Sequence, residues 1–272
     1  WRPVARAALH RRLTRTSSTR ADDPRCDLNG TGGAPNWVEA RQRLEQAAAR
    51  WGGEAQAQAE LLARMDLDAQ GMPQGLPEAE TLGNAPLVRR WKGLLSPEEC
   101  AHLATSVLDL LAPSTVADPR TGSLVAHPVR RSSAAVIGPT RESLPIQAIQ
   151  RRIAHATGTE VRQGEPLAVL HYAPGQEYLA HLDTLPHEIN QRTMTVLLYL
   201  NAGYTGGETH FPANGLRVTG GLGDAVAFGN VLANGEPDPQ SRHAGLPVRS
   251  GAKWMATRWI RAAPLDVWTA GA

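Results

Sequence analysis

The chain has 272 residues, of which 42% are hydrophobic and 20% charged, a balance that suits a globular protein of one large or two small domains. No apolar run approaches the roughly 20 residues that a membrane-spanning helix requires, so integral membrane association is not expected. The formal net charge is +2, but arginines 2, 6, 11, 12, 15 and 20 lie in an acid-free start, and without them 22 basic residues face 26 acidic ones.

Residues 1–35 lack hydrophobic periodicity and close on Asn29-Gly-Thr-Gly-Gly-Ala-Pro35, so an Arg-rich disordered tail is predicted. A basic, Ser-rich start of this kind also suits contact with nucleic acid or an anionic membrane, or an organelle-targeting segment. Cys26 in the tail and Cys100 downstream make neither a disulfide framework nor a metal-binding cluster, which fits a reduced, cytoplasmic setting.

Two short helices are predicted over 37–51 and 54–66, both rich in Ala, Gln, Glu, Arg and Leu and separated by Gly52-Gly53. No second copy of this hairpin follows, so a packing role is favoured over a protein-binding helical repeat. Residues 68–87 hold Gly71, Pro73, Gly75, Pro77 and Pro86 and read as a linker, which makes 36–86 a hairpin-and-linker unit. The second unit is expected to start near Leu87 and run to 272. Ser96-Pro-Glu-Glu99 carries a cap, a proline at the first helical position and a capping-box Glu, and predicts a helix to about Leu111. A further helix is predicted over Ile146–Ala156, with Gly158 just past its end.

From Glu165 the texture changes to short apolar or alternating runs, punctuated by Gly, Pro and Asn. Strands are predicted at 165–172, 177–183, 193–200, 207–211, 215–219, 224–229, 242–248 and 252–261. Eight closely spaced strands after flanking helices predict a mainly β fold, an antiparallel double sheet of jelly-roll type.

The candidate chemistry lies on these strands. His181-Leu182-Asp183 is followed by His243 and then Lys253. Residues i and i+2 of a strand share a face, so His181 and Asp183 reach inward together, and His243 has to come from a later strand. Two imidazoles and one carboxylate form a facial ligand set with open positions, suited to non-haem Fe(II) and O₂. Zinc shares these ligand types, but a zinc hydrolase offers no role for Lys253 and no obvious general-base glutamate beside the ligands. Of 28 basic residues only Lys92 and Lys253 are lysines. A compact ammonium on a flexible stem can enter a barrel and meet one carboxylate end-on, where a guanidinium needs more room.

The context of these residues is specific. His171-Tyr-Ala-Pro-Gly-Gln-Glu-Tyr-Leu-Ala-His-Leu-Asp183, Arg192-Thr-Met-Thr-Val-Leu-Leu-Tyr-Leu-Asn201, Gly206-Gly-Glu-Thr-His-Phe-Pro212, Gly223-Asp-Ala-Val-Ala-Phe-Gly229 and the block from Gln240 to Trp259 follow in order. Together, from about Leu94 to Arg261, they resemble the prolyl 4-hydroxylase group of Fe(II)/2-oxoglutarate dioxygenases.

That resemblance implies a double-stranded β-helix core over about 165–261, with the metal at one mouth on His181, Asp183 and His243. It implies 2-oxoglutarate as cosubstrate, with its far carboxylate on Lys253, Tyr172, Thr209 and Thr257 as hydrogen-bonding neighbours and Trp259 as a pocket wall. Ascorbate is the implied reductant, and succinate and CO₂ are the implied coproducts of hydroxylation. Halogenating relatives lack the carboxylate that Asp183 supplies, and nucleic-acid-demethylating relatives use arginine where this chain has Lys253, so a nucleic-acid substrate is not expected. The expected substrate is a prolyl residue of a protein or peptide, the alternatives being a free amino acid or small metabolite, or a binding module without chemistry. By family position Arg192, Tyr178, Glu165, Arg130 and Ser132 line the peptide groove and 113–129 forms a lid, while the short stretch between Asp183 and Arg192 leaves little room for a long substrate-gripping loop.

Overall fold

A computed structural model describes residues 36–117, 124–127 and 129–267. The expected Arg-rich tail and Cys26 lie outside them. The described residues form four α-helices, α1 Trp37–Trp51, α2 Gly53–Arg64, α3 Pro97–Thr105 and α4 Leu144–Thr157. None is long and apolar enough to cross a membrane. Chain contacts divide the described residues into two compact units, one of 36–76, Ile137–Val161 and 266–267, the other of Pro77–Val136 and Arg162–Leu265.

The first unit is helical. The Asn36 side chain accepts from the Glu39 amide and starts α1, which buries Trp37, Ala40, Leu44 and Ala47 at the three- and four-residue spacing of one helical face. Gly52 and Gly53, at φ 62° and 58°, take the left-handed conformation that the reversal into α2 requires and that side chains resist. Helix α4 stops at Gly158, also left-handed at φ 70°. The Arg151 guanidinium lies 4.0 Å over the Trp37 ring and donates to the Gln70 carbonyl.

The second unit holds the strands, which are β1 Ala79–Asn84, β2 Leu87–Trp91, β3 Ala112–Pro113, β4 Thr115–Ala117, β5 Leu124–Ala126, β6 Ser133–Val136, β7 Ala168–Tyr172, β8 Tyr178–His181, β9 Arg192–Tyr199, β10 Thr205–Gly206, β11 Thr209–Phe211, β12 Leu216–Val218, β13 Ala225–Gly229, β14 His243–Gly245, β15 Val248–Ser250 and β16 Lys253–Arg261. Eight join in one sheet in the order β1-β2-β13-β9-β16-β7-β6-β3, four in a second in the order β12-β11-β14-β8, and β10–β15 and β4–β5 form separate pairs. All pairings are antiparallel, as a jelly roll requires. Side chains that alternate along the strands, among them Leu197 and Tyr199 of β9, Phe228 of β13 and Met255 of β16, meet Phe211 and Val248 in one buried core.

Four expectations change. Helix α4, expected within the second unit, belongs to the first. The stretch 68–87 is not all linker, because β1 lies within it and pairs with β2, so the second unit begins at Pro77. The helix capped by Ser96 ends at Thr105, not near Leu111. Thr105 Oγ1 turns back to the Ala101 carbonyl and Ser106 Oγ to that of Leu103, and three-residue turns then replace the helix. The predicted strand 207–211 breaks between β10 and β11, since Gly206 and Gly207 sit at φ 74° and 70°, outside strand geometry.

Candidate active site

Strands β8 and β14 pair with His181 opposite His243, while Asp183 lies two residues beyond the end of β8. One ligand atom from each of these residues lies within 4.8 Å of the others. Nε2 of His181 is 3.4 Å from Asp183 Oδ1, and Nε2 of His243 is 3.7 Å from Oδ2. Each imidazole is oriented by the backbone two residues earlier, His181 Nδ1 on the Leu179 carbonyl at 2.8 Å and His243 Nδ1 on that of Ser241 at 3.0 Å. A carbonyl only accepts, so the Nδ1–H donates and the Nε2 lone pair faces the centre.

The surroundings set the charges. Burial raises the carboxyl pKa of Asp183, but His243, His181 and the Thr195 hydroxyl outweigh it and hold the group well below the usual carboxylate range. Burial pushes His243 down to about 4, against the pull of Asp183, so the imidazole is neutral near pH 7. The Phe228 ring packs 4.6 Å from His243, and Tyr178 stacks on His181 at 3.6 Å. Nε2 of His181 is buried and makes no hydrogen bond among the described residues. Two imidazole nitrogens and one carboxylate, gathered in a buried cluster, fit a divalent iron.

The other end of the cavity is cationic. Lys253 opens β16 opposite Tyr172 of β7 and is 2% exposed. Its Nζ donates to the Gly207 carbonyl at 2.6 Å and lies 5.3 Å from the Tyr199 ring and 5.9 Å from that of Tyr172. Burial pushes its pKa down to about 8, with Glu208 pulling weakly the other way. Among the described residues no carboxylate forms an ion pair with it, and a cation buried this way is costly until an anion joins it. The cavity running from the histidines to Lys253 is walled by Thr209, Thr257 and Trp259 and by the apolar Leu170, Leu197 and Met255. Thr209 Oγ1 lies 3.3 Å from the Tyr199 hydroxyl.

Of the five residues expected in the substrate groove, Tyr178 lines this cavity. Arg130 lies 5.6 Å from the Tyr178 ring, and its Nε donates to Ser114 Oγ, which in turn contacts Ser132 Oγ at 2.9 Å. Glu165 and Arg192 are bound to each other by two hydrogen bonds of 2.6 and 2.7 Å, and Arg261 adds a third to Glu165. Arg192 also stacks 4.0 Å over Trp259. In the segment expected to form a lid, β4 pairs with β5, and residues 118–123 and 128 lie outside the described ones. Sequence reasoning passed over Thr195, which donates to Asp183 Oδ2 at 2.6 Å, and Asn230, which donates to Thr195. Neither residue type, set in an apolar strand or at its end, carries a signal in sequence.

The profile of the 2OG-Fe(II) oxygenase superfamily matches residues 167–261. The chain is 37% identical over 215 residues to prolyl 4-hydroxylase 1 of Arabidopsis thaliana, covering 72% of this chain and 76% of that protein. It is 35% identical over 205 residues to probable prolyl 4-hydroxylase 3 of the same plant, covering 66% and 71%. Among solved structures it is similar to the viral collagen prolyl hydroxylase of Paramecium bursaria Chlorella virus 1 in complex with 2-oxoglutarate, at a TM-score of 0.53 and 28% identity, over 65% of this chain and 96% of that one.

Proposed function

This chain belongs to the prolyl 4-hydroxylase family of Fe(II)/2-oxoglutarate dioxygenases, and from that premise we propose that it hydroxylates a prolyl residue of a protein or peptide. The observation that carries the reading is one cavity with a two-histidine, one-carboxylate cluster at one end and, at the other, a buried lysine that forms no ion pair with a carboxylate among the described residues. That spacing of a metal site and a cation suits a dicarboxylate with a chelating oxo-acid end.

His181 Nε2, His243 Nε2 and the Asp183 carboxylate would hold Fe(II), and Lys253 would pair with the far carboxylate of 2-oxoglutarate. Iron and 2-oxoglutarate together supply the oxidising chemistry, in which O₂ is consumed, 2-oxoglutarate becomes succinate and CO₂, and a substrate C–H becomes C–OH. The protein contributes positioning. The Nδ1–H bonds of both histidines lock ring orientation before a metal arrives, which lowers the cost of assembling the site. Leu170, Leu197 and Met255 keep water from the path between metal and lysine, which strengthens the ion pair at Lys253. Thr209, Thr257 and Tyr172 are the polar groups that orient the cosubstrate, and Trp259 is its wall.

We assign the substrate side to Tyr178, stacked on His181 at the cavity, with Arg130, Ser132, Glu165 and Arg192 along the groove. The mutual ion pairing of Glu165 and Arg192 supports a rigid groove floor more than two free contacts. Cys100, a buried free thiol, suits the reducing, cytoplasmic compartment we propose.

The test is succinate formation with Fe(II), ascorbate, O₂ and 2-oxoglutarate, with proline-containing peptides, free proline or no substrate. Peptide-dependent turnover with hydroxyproline in the product supports the reading. Turnover on free proline alone would move the substrate class to small molecules, and no binding of either metal or 2-oxoglutarate would leave a binding module.

A further inference from the structure

Asp183 does not stand alone in the cavity. Its Oδ2 takes a 2.6 Å hydrogen bond from Thr195 Oγ1, and Thr195 Oγ1 takes one of 2.9 Å from Asn230 Nδ2. The direction follows from chemistry. An ionised carboxylate only accepts, so the single hydroxyl proton of Thr195 is committed to Asp183, and the threonine oxygen must accept from the Asn230 amide. The opposite amide orientation would set two acceptors against one proton and leave two N–H donors facing nothing. Thr195 and Asn230 are both 0% exposed.

Both residues are held by the sheet. Thr195 is in β9 between Phe228 of β13 and Trp259 of β16, and Asn230 follows β13 with its own N–H on the Thr193 carbonyl and its carbonyl on the Asp238 N–H. Among the described residues the Asn230 Oδ1 is buried without a hydrogen bond, so the side-chain amide is engaged only through the bond it donates. A residue that leaves a buried acceptor unmet to support a metal-cluster carboxylate has the features of a dedicated orienter.

We propose that Thr195 and Asn230 are positioning residues that fix the rotation of the Asp183 carboxylate. Both carboxylate oxygens face a histidine, Oδ1 at 3.4 Å from His181 Nε2 and Oδ2 at 3.7 Å from His243 Nε2, but the relay engages Oδ2 and so leaves Oδ1 as the oxygen offered to the metal. One-oxygen ligation preserves the open positions that a chelating cosubstrate and O₂ need, whereas a freely rotating carboxylate would occupy one of them or swing away. The inference rests on the reading of His181, Asp183 and His243 as metal ligands.

The experiment measures Mn(II) affinity by chelator competition and the visible spectrum of the Co(II) form, both without turnover. The proteins are the wild type, Thr195→Val, Thr195→Ser and Asn230→Leu. The expected result is a 10- to 100-fold (order of magnitude) weaker Mn(II) site and an altered Co(II) spectrum in Thr195→Val, near wild-type behaviour in Thr195→Ser, and a smaller loss in Asn230→Leu. Serine restores the hydroxyl but not the methyl, so rescue separates orientation from packing. Thr195→Val with wild-type affinity and spectrum would overturn the proposal. If that variant does not fold, Asn230→Leu decides, weaker binding supporting the relay and unchanged binding overturning it. A wild type that binds neither metal would instead remove the ligand reading itself, and the relay with it.

Discussion

His181 and His243 are register partners across the β8–β14 ladder, their ring centroids 4.4 Å apart, and each is tied through Nδ1 to the carbonyl two residues before it. The same local turn of chain is thus used twice to aim Nε2 at Asp183. The donor geometry therefore exists before any metal binds.

Removing the third donor tests this directly. Asp183→Ala should lose Mn(II) binding and 2-oxoglutarate turnover while keeping the fold, since the buried carboxylate is replaced by a small apolar group. A metal at 100 times its Kd stabilises a protein by about 2.7 kcal/mol, so the wild type should show a metal-dependent rise in Tm that the variant lacks. An equal rise in both would show that the metal binds elsewhere.

Lys253 should impose a pH limit on cosubstrate binding. With its pKa pushed down to about 8, it is charged below that pH and neutral above it. An anion binds the charged form, so affinity for 2-oxoglutarate is level below pH 8 and falls about tenfold per pH unit above it. KM for 2-oxoglutarate measured from pH 6.5 to 9.5 at saturating peptide checks this. A flat profile up to pH 9.5 would contradict it.

Replacing the lysine should have opposite effects on binding and stability. Lys253→Met removes a buried charge pair from the complex, worth about 2–5 kcal/mol, so KM for 2-oxoglutarate should rise on the order of 100-fold. In the ligand-free protein the same substitution removes a cation that folding has desolvated without an ion pair among the described residues, and Tm should rise. The wild-type penalty exists while the lysine is charged in the fold. It fades as pH climbs from about 8 towards the ordinary 10.5, so the Tm gap between the two proteins should narrow over that interval. A lower Tm for the methionine variant at pH 7 would contradict the assignment.

Glu165 holds two guanidinium groups, those of Arg192 and Arg261, and its side chain is 7% exposed. Glu165→Ala leaves both cations without it, and breaking a buried network in this way costs about 3–5 kcal/mol. Urea unfolding monitored by tryptophan fluorescence measures the loss. A loss below about 1 kcal/mol would indicate that solvent already shares these charges.

Much of this protein follows from local chemistry. Ser96 and Glu99 make the reciprocal capping bonds that their spacing predicts, α1 starts at the Asn36 cap and ends at Gly52, and α4 stops at the left-handed Gly158. The donor set could be read because histidine, aspartate and a rare lysine are chemically distinctive even at long separation. The tertiary structure decided what depends on which strands become neighbours. The order β13-β9-β16-β7 brings Asn230 to Thr195 and Lys253 to Tyr172, and the return of the chain near Glu165 brings it to Arg192 and Arg261. Threonine and asparagine in apolar surroundings are common, and a hydrogen bond between residues 35 positions apart has no periodicity to betray it. Only strand register, a property of the whole sheet, turns them into the support of Asp183.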